Sequence, residues 1–442
     1  MKSDQVKRRE FVQQSAVLAS AAAVFPSGAH AQGKDVDKIR VALIGCGGRG
    51  TGAAAQALAA DDRTELWAMG DIDEGQLSRS EEVLTKNAPR PDQVNVNPER
   101  KFIGLDAFQK VMALDDLDVV ILTTPPGFRP QHFEEAVAAG KHVFMEKPVA
   151  VDSPGIRQVL AAAKVAKEKN LKVGVGFNRR HSPLHRETIS RLHNGDIGEI
   201  PLIQMFNCRA DVNKRNLRED GQSELEFQVR NWYYFTWLSG DFMVEQSVHD
   251  FDVVKWIKHE ANPVSCQGQG GRLVRKGPMN GHIYDHYSVD FQYEDGSQVI
   301  TQHRHIPGCW NWIGEKITGT NGTAEIASKS KGSVRSNDPK IAPWRDTEKA
   351  NSYQLEHDAL FKAIREDLPH NEAEHSAYST LFPIMGRMAA YTGKVVTWEE
   401  ALNSEERLGI SPASWDEEPP CYPDENGEYE TFLPGTSYKA AI

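Results

Sequence analysis

Lys147 sits between Glu146 and Pro148, directly after the apolar run His142–Met145. An ammonium held at a strand end can grip a hydroxyl oxygen and steady the negative charge that develops on it. Further along, Glu245 and His249 are four residues apart. If Gly240–Asp252 is one helix, that spacing puts both side chains on one face. An imidazole has an ordinary pKa of about 6.5, suited to proton exchange at neutral pH. A carboxylate on the same face would orient the ring and stabilise its protonated form. His249 is therefore expected to act as acid/base and Lys147 to hold the reacting hydroxyl, although the two could exchange roles. Arg230-Asn231-Trp232-Tyr233-Tyr234 is basic and aromatic. It suits stacking on a sugar ring, and equally a core or interface cluster. His303 and His305 alternate along a strand, which reads as a sheet-face pair; no metal site is expected.

A second constellation would hold a dinucleotide. Gly45-Cys46-Gly47-Gly48-Arg49-Gly50 follows the apolar run Lys38–Ile44 and precedes the alanine-rich Thr51–Ala60. This is G-x-G-x-x-G between a strand and a helix. Gly45 permits the tight turn, Gly47 admits a pyrophosphate, and Gly50 lets helix and strand pack closely, while the helix N-terminus supplies N–H donors. A second strand, Thr64–Met69, ends at Gly70-Asp71. Asp71 lies 21 residues after Gly50, near the spacing of about 20 for an acid on the adenosine ribose. Its carboxylate would accept the ribose hydroxyls and repel a 2′-phosphate, which favours NAD over NADP. Asp73 is the competing acid.

Placing these groups together requires a parallel doubly wound sheet. Val119–Thr123, helix Pro130–Ala139 and His142–Met145 continue the βα alternation. Ligands bind outside the carboxyl ends of such strands, so the turns Thr123-Thr124-Pro125-Pro126 and Glu146-Lys147-Pro148 should face the cofactor. The expected division is a dinucleotide-binding Rossmann domain over 37–150 and a second, substrate domain over 151–331, to which the family resemblance given below adds a role in oligomerisation. Returning helices Tyr353–Glu366 and His375–Thr392 fall in 332–412, and an acidic, proline-rich tail in 413–442. The second domain's candidate strands are Leu171–Gly176, Ile200–Asn207, Pro263–Leu273, His286–Tyr293, Ser297–His303 and Trp312–Thr318. The turn Glu294-Asp295-Gly296 signals a hairpin and a largely antiparallel sheet. Ser328–Pro343 reads as a polar connection, and the tail as a solvated arm or a strap across a partner subunit.

The chain of 442 residues carries 51 Lys and Arg against 62 Asp and Glu, a net charge of −11. That balance argues against a nucleic-acid partner, which needs a basic face. No stretch reaches the about 18 apolar residues of a membrane span. Five scattered cysteines form neither a disulfide framework nor a metal spacing. Lys7-Arg8-Arg9-Glu10-Phe11, the apolar Ser15–Phe25 and Ala29-His30-Ala31 read in order as a twin-arginine export signal over 1–31. The expectation is a partner in the twin-arginine machinery and a periplasmic or otherwise exported mature chain.

Several of these segments together resemble the glucose–fructose oxidoreductase / inositol dehydrogenase / MocA family. They are the glycine loop, the Thr-Pro-Pro turn, Glu146-Lys147-Pro148 after Ala139–Met145, Val175-Gly176-Phe177-Asn178-Arg179-Arg180, and Gly240–Asp252. Many members carry Asp where this chain has Glu245. The resemblance implies a Rossmann domain followed by an α+β domain with a large, mostly antiparallel open sheet, one face of which makes subunit contacts in a dimer or tetramer. It implies NAD-dependent hydride transfer at a hydroxyl of a sugar, cyclitol or glycoside. The alternatives are glycoside cleavage through transient oxidation and a non-catalytic relative. The implied catalytic residues are Lys147, His249 and Glu245. The implied cofactor contacts are Gly45, Cys46, Gly47, Gly48, Arg49, Gly50, Asp71, Thr124, Pro125, Glu146, Lys147 and Asn178. The implied substrate contacts are Lys147, Arg179, Arg230, Trp232 and His249.

Overall fold

Short unbroken apolar runs make strands that are buried on both faces, the signature of a parallel sheet. A computed structural model describes residues 38–212, 215–327, 331–346 and 350–435; the expected export signal lies outside them. Strands β1 (Ile39–Ile44), β2 (Thr64–Asp71), β3 (Lys101–Ile103), β4 (Val119–Leu122), β5 (His142–Met145) and β6 (Val173–Val175) form one parallel sheet in the order β3-β2-β1-β4-β5-β6. The order reverses beside β1, and Ile44 pairs with Gly70 on one side and Leu122 on the other. Gly45, Asp71, Thr123 and Glu146 therefore emerge along one edge, the crevice where such sheets bind ligands. Val173–Val175, expected in the second domain, is the outer strand of this sheet, so the parallel body extends past residue 150.

The second sheet has nine strands. They are β7 (Leu202–Arg209), β8 (Ser265–Gly271), β9 (His286–Gln292), β10 (Gln298–His305), β11 (Trp312–Gly319), β12 (Gly322–Ala327), β13 (Lys331–Ser336), β14 (Trp344–Arg345) and β15 (Val396–Thr397). The order is β14-β13-β12-β11-β7-β10-β9-β8-β15. Only β7 and β10 run parallel; the other neighbours are antiparallel. Burial alternates along β9 and β12, as in a sheet with one face on the core and one face open. The polar stretch 331–336 is a strand rather than a connection. Its Val334 is buried opposite Ala324, and that single apolar residue was too little pattern to see.

Two helices tie the sheets together. Ala373–Thr392 is buried nearly all round, as a helix apolar on every face must be. Ser352–Arg365 does not complete the second domain. Leu360 and Phe361 pack with Ala53, Ala54, Ala57 and Leu58 of helix Gly48–Ala60, on a face of the parallel sheet. The tail up to Gly435 is not a free arm, because it straps its own chain. Cys421 O accepts from Gln228 Nε2 at 2.7 Å, Glu428 Oε1 from Gly277 N at 2.6 Å, and Phe432 O from Tyr284 Oη at 2.6 Å.

The segment 240–252 is two short helices, Phe242–Glu245 and Val248–Ile257, not one. Each is pinned separately. The fully buried Asp241 carboxylate accepts from Tyr284 N at 2.9 Å, Tyr287 Oη at 2.6 Å and Tyr391 Oη at 2.5 Å. Ser247 Oγ pairs with His303 Nδ1 at 2.8 Å. The four-residue spacing of Glu245 and His249 therefore does not place them on one helix face.

Candidate active site

The loop after β1 has the shape its glycines permit. Gly45 lies at φ +94°, and a Cβ on Gly50 would come within 2.0 Å of the Gly45 carbonyl oxygen. Gly47 and Gly48, by contrast, would place a Cβ in open space. Helix Gly48–Ala60 starts there without a side-chain cap, leaving N–H groups free for an anion. Asp71 Oδ2 accepts from Cys46 N at 2.5 Å and Oδ1 from Asp73 N at 2.9 Å, so the acid is fixed beside the glycine turn. Burial pushes its carboxyl up. Asp73 is committed elsewhere. It caps helix Glu74–Asn87 through Gln76 N at 2.8 Å and pairs with Arg230. These residues fit a dinucleotide, and Asp71 rather than Asp73 keeps its place beside the glycine turn.

A cleft of about 590 Å³ runs from this loop to the second sheet. Its walls include Arg49, Thr124, Glu146, Lys147, Asn178, Arg179, Trp232, Glu245 and His249. A larger groove of about 730 Å³, beside His193, Lys258 and Asp295, contains none of the expected site residues.

Lys147 Nζ donates to the Glu245 carbonyl at 2.8 Å and to its Oε1 at 3.1 Å. The other carboxylate oxygen accepts from Gln246 Nε2 at 2.6 Å. Glu245 thus supports the lysine and does not orient the imidazole. His249 stands edge-on to Phe177, ring centroids 6.1 Å apart, with a buried Nδ1 that lacks a hydrogen-bond partner among the described residues. Burial first, then the charges of Lys147 and Arg179, hold its pKa well below 6.5. The ring is therefore neutral at pH 7 and can accept a proton.

Arg179 Nη1 reaches Asp250 Oδ1 at 2.5 Å, and Asp250 Oδ2 accepts from Asn207 Nδ2 at 2.8 Å. Asn178 Nδ2 donates to Ser352 Oγ at 2.8 Å. Arg49 Nε lies 2.8 Å from Glu146 Oε1, with its guanidinium 5.0 Å over the Tyr353 ring. Residues 350–353 form the rim here.

Of the glycine loop only Arg49 lines the cleft; Gly45, Cys46, Gly47, Gly48, Gly50 and Asp71 do not. Arg230 does not line the cleft; Asp73 and Glu226 (Nε to Oε1, 2.8 Å) hold it at the other end of the dinucleotide loop. Of the aromatic run only Trp232 reaches the cleft, while Tyr233 and Tyr234 are buried in the core. Pro125 precedes the wall residue Pro126 without lining the cleft itself. His303 and His305 are buried among the protein's own polar groups; His305 Nε2 meets Asn207 Oδ1 at 3.3 Å. The sequence reading also missed wall residues Arg129, His185, Asn207 and Arg209. None stands in a motif; Arg129 and His185 sit on helices Arg129–Ala138 and Pro183–His193, Asn207 and Arg209 on β7, and these elements meet only in three dimensions.

A glycine loop, an acid at the end of β2 and a lysine at the end of β5, on a sheet ordered 3-2-1-4-5-6, define a dinucleotide-binding fold joined to a large open sheet. Residues 39–177 match the model of the oxidoreductase family with NAD-binding Rossmann fold, GFO_IDH_MocA. Inositol 2-dehydrogenase of Rhizobium meliloti is 28% identical over 190 residues, which cover 43% of this chain and 51% of that protein. The chain thus aligns with about half the length of that relative. The solved scyllo-inositol dehydrogenase of Lactobacillus casei superposes with a TM-score of 0.60 at 21% identity, covering 82% of this chain and 99% of the other. The aldose-aldose oxidoreductase of Caulobacter crescentus gives 0.63 at 17% identity, covering 81% and 99%. Residues 39–177 of this chain thus carry the NAD-binding Rossmann fold of that oxidoreductase family.

Proposed function

We propose that this protein is an NAD-dependent oxidoreductase that moves a hydride between a CH–OH group of a sugar, cyclitol or glycoside and a tightly held nicotinamide. The observation that carries the reading is the meeting, in one cleft, of Arg49 from the dinucleotide loop, the Lys147–Glu245 pair and the neutral His249. The bound dinucleotide supplies the hydride acceptor. Asp71 holds its adenosine ribose, and Gly47 and Gly48 leave room for its phosphates. Lys147, fixed by two bonds to Glu245, donates to the substrate hydroxyl oxygen and steadies the charge that grows there. His249 takes the hydroxyl proton, which its neutral ring permits. Trp232 offers an apolar face to the ring.

The family resemblance supports a homo-oligomer formed through the open sheet face. Residues 1–31 support export by the twin-arginine route to the periplasm, after the cofactor has been loaded. Purified protein should be mixed with NAD and a panel of sugars and cyclitols while absorbance at 340 nm is followed. NADH formation with members of the panel supports the reading. NAD binding without reduction, accompanied by glycoside hydrolysis, replaces it with cleavage through transient oxidation.

A further inference from the structure

We propose that the substrate of this cleft carries a carboxylate, and that Arg209 is the residue that reads it. The inference rests on the oxidoreductase reading above and narrows its substrate class to sugar acids.

Five cations line the cleft, and four are committed to the protein. Arg49 faces Glu146 at 2.8 Å, Lys147 faces Glu245 at 3.1 Å, and Arg179 faces Asp250 at 2.5 Å. Arg129 donates to the carbonyls of Thr124 and Pro148. The Arg209 side chain has no ion pair and no hydrogen-bond partner among the described residues, and the residue is half-buried. It is the last residue of β7, in register with His305 of β10, so its backbone is fixed by the sheet. Asp211, two residues on, is taken by Arg215 and by Arg275, the latter at 2.8 Å.

The rest of the wall agrees. Its acids, Glu146 and Glu245, each already face a cation, so an incoming anion meets no uncompensated carboxylate. His185 is 6% exposed, and neither ring nitrogen has a hydrogen-bond partner among the described residues. Burial and Arg179 push its pKa down to about 3. A neutral ring gives one donor and one acceptor, which suits hydroxyl groups rather than an anion. Arg129, fully buried, spends its two terminal nitrogens on carbonyls, so among the wall cations only Arg209 keeps its whole guanidinium clear of protein partners among the described residues. One guanidinium matches a carboxylate in a two-bond fork. A phosphate or diphosphate would need further cations, and the others are engaged. Trp232 on the same wall suits the apolar face of a pyranose.

The test uses the full-length protein saturated with NADH. D-Glucuronate, D-galacturonate, their methyl esters, D-glucose, D-galactose and uridine diphosphate glucose are titrated in by calorimetry. A uronate should bind roughly 10- to 100-fold more tightly than its methyl ester, the range for a hydrogen bond to a charged group. Arg209→Leu should bring that ratio close to one, and Arg209→Lys should restore part of it. The proposal is overturned if methyl esters or neutral sugars bind as well as uronates, if no uronate binds, or if the nucleotide sugar binds most tightly. Cofactor reduction, followed in parallel with NAD, separates the two readings. Arg209-dependent uronate binding without reduction would sink the oxidoreductase reading and leave the carboxylate site standing. Reduction by neutral sugars alone would do the reverse.

Discussion

Lys147 donates from one ammonium to both the carbonyl and the carboxylate of Glu245, at 2.8 and 3.1 Å, so the end of β5 is tied to the short helix that precedes His249. The pair is nearly buried, with side chains 13% and 8% exposed. Removing one partner of such a pair strands the other charge. Glu245→Ala should therefore lower stability by about 3 kcal/mol or more, seen as a fall in the calorimetric melting temperature, and Glu245→Asp should recover part of it. Unchanged melting in the alanine variant would mean that the pair does not hold the lysine.

Asp71 is expected to set the cofactor preference. Asp71→Ala removes the ribose acceptor and its repulsion of a 2′-phosphate, so the ratio of NAD to NADP affinity should fall. Asp73 is not an equal rival, because Gln76 N and Arg230 already occupy its carboxylate. An unchanged affinity ratio, measured by NADH and NADPH fluorescence titration, would show that Asp71 does not meet the ribose.

Buried neutral histidines set the acid limit. Burial pushes His132, His185, His282 and His303 down to about 3, and His142 to about 4. Below the ordinary value of about 6.5 the unfolded chain binds protons at these rings that the folded chain does not, so stability falls as pH drops. Burial raises the Glu315 and Glu356 carboxyls well above normal. These bind protons in the folded state and oppose the trend, but they are fewer. The melting temperature should be highest above pH 6.5 and fall steadily from there toward pH 4.5. A flat profile over that range would contradict the neutral, buried state of these rings.

The export proposed above, of an already folded protein, requires that the cofactor stay bound. At an association rate of about 10⁶ M⁻¹s⁻¹, a nanomolar Kd gives release at about 10⁻³ s⁻¹, a lifetime of roughly a quarter of an hour. Affinity should therefore be nanomolar or tighter. Tyr353 over Arg49 and the Ser352–Asn178 bond close the rim on the loop side. Protein purified without added nucleotide should release close to one NAD(H) per chain on denaturation. An empty, folded protein that turns over only with millimolar added NAD would contradict retention.

The sequence made the parallel sheet and its ligand edge legible because buried strands, a glycine turn and an acid at fixed spacing are local signals. Gly45, Asp71 and Lys147 could be found from their neighbours alone. The relation between Glu245 and His249 was misread for a physical reason: Asp241 and Ser247 break the helix through bonds to Tyr284, Tyr287, Tyr391 and His303, all more than 30 residues away in sequence. Arg230 looked like a sugar ligand because its aromatic neighbours hid the distant Asp73. Arg209 and His185 carry no motif; one ends β7 and the other lies on helix Pro183–His193, and only the folded chain brings both to the cleft.

The central claim is that the hydride leaves at a hydroxyl held by Lys147 and deprotonated by His249. Rapid mixing of the NAD-loaded protein with its best sugar, followed at 340 nm through the first turnover, tests it most directly. Wild-type protein should show a burst of reduction approaching one NADH per chain. Lys147→Ala and His249→Ala, folded by circular dichroism and still binding NADH, should slow that burst by roughly 10²–10⁴-fold, the usual loss for a missing acid or base. Wild-type burst rates in both variants would contradict the assignment of the site.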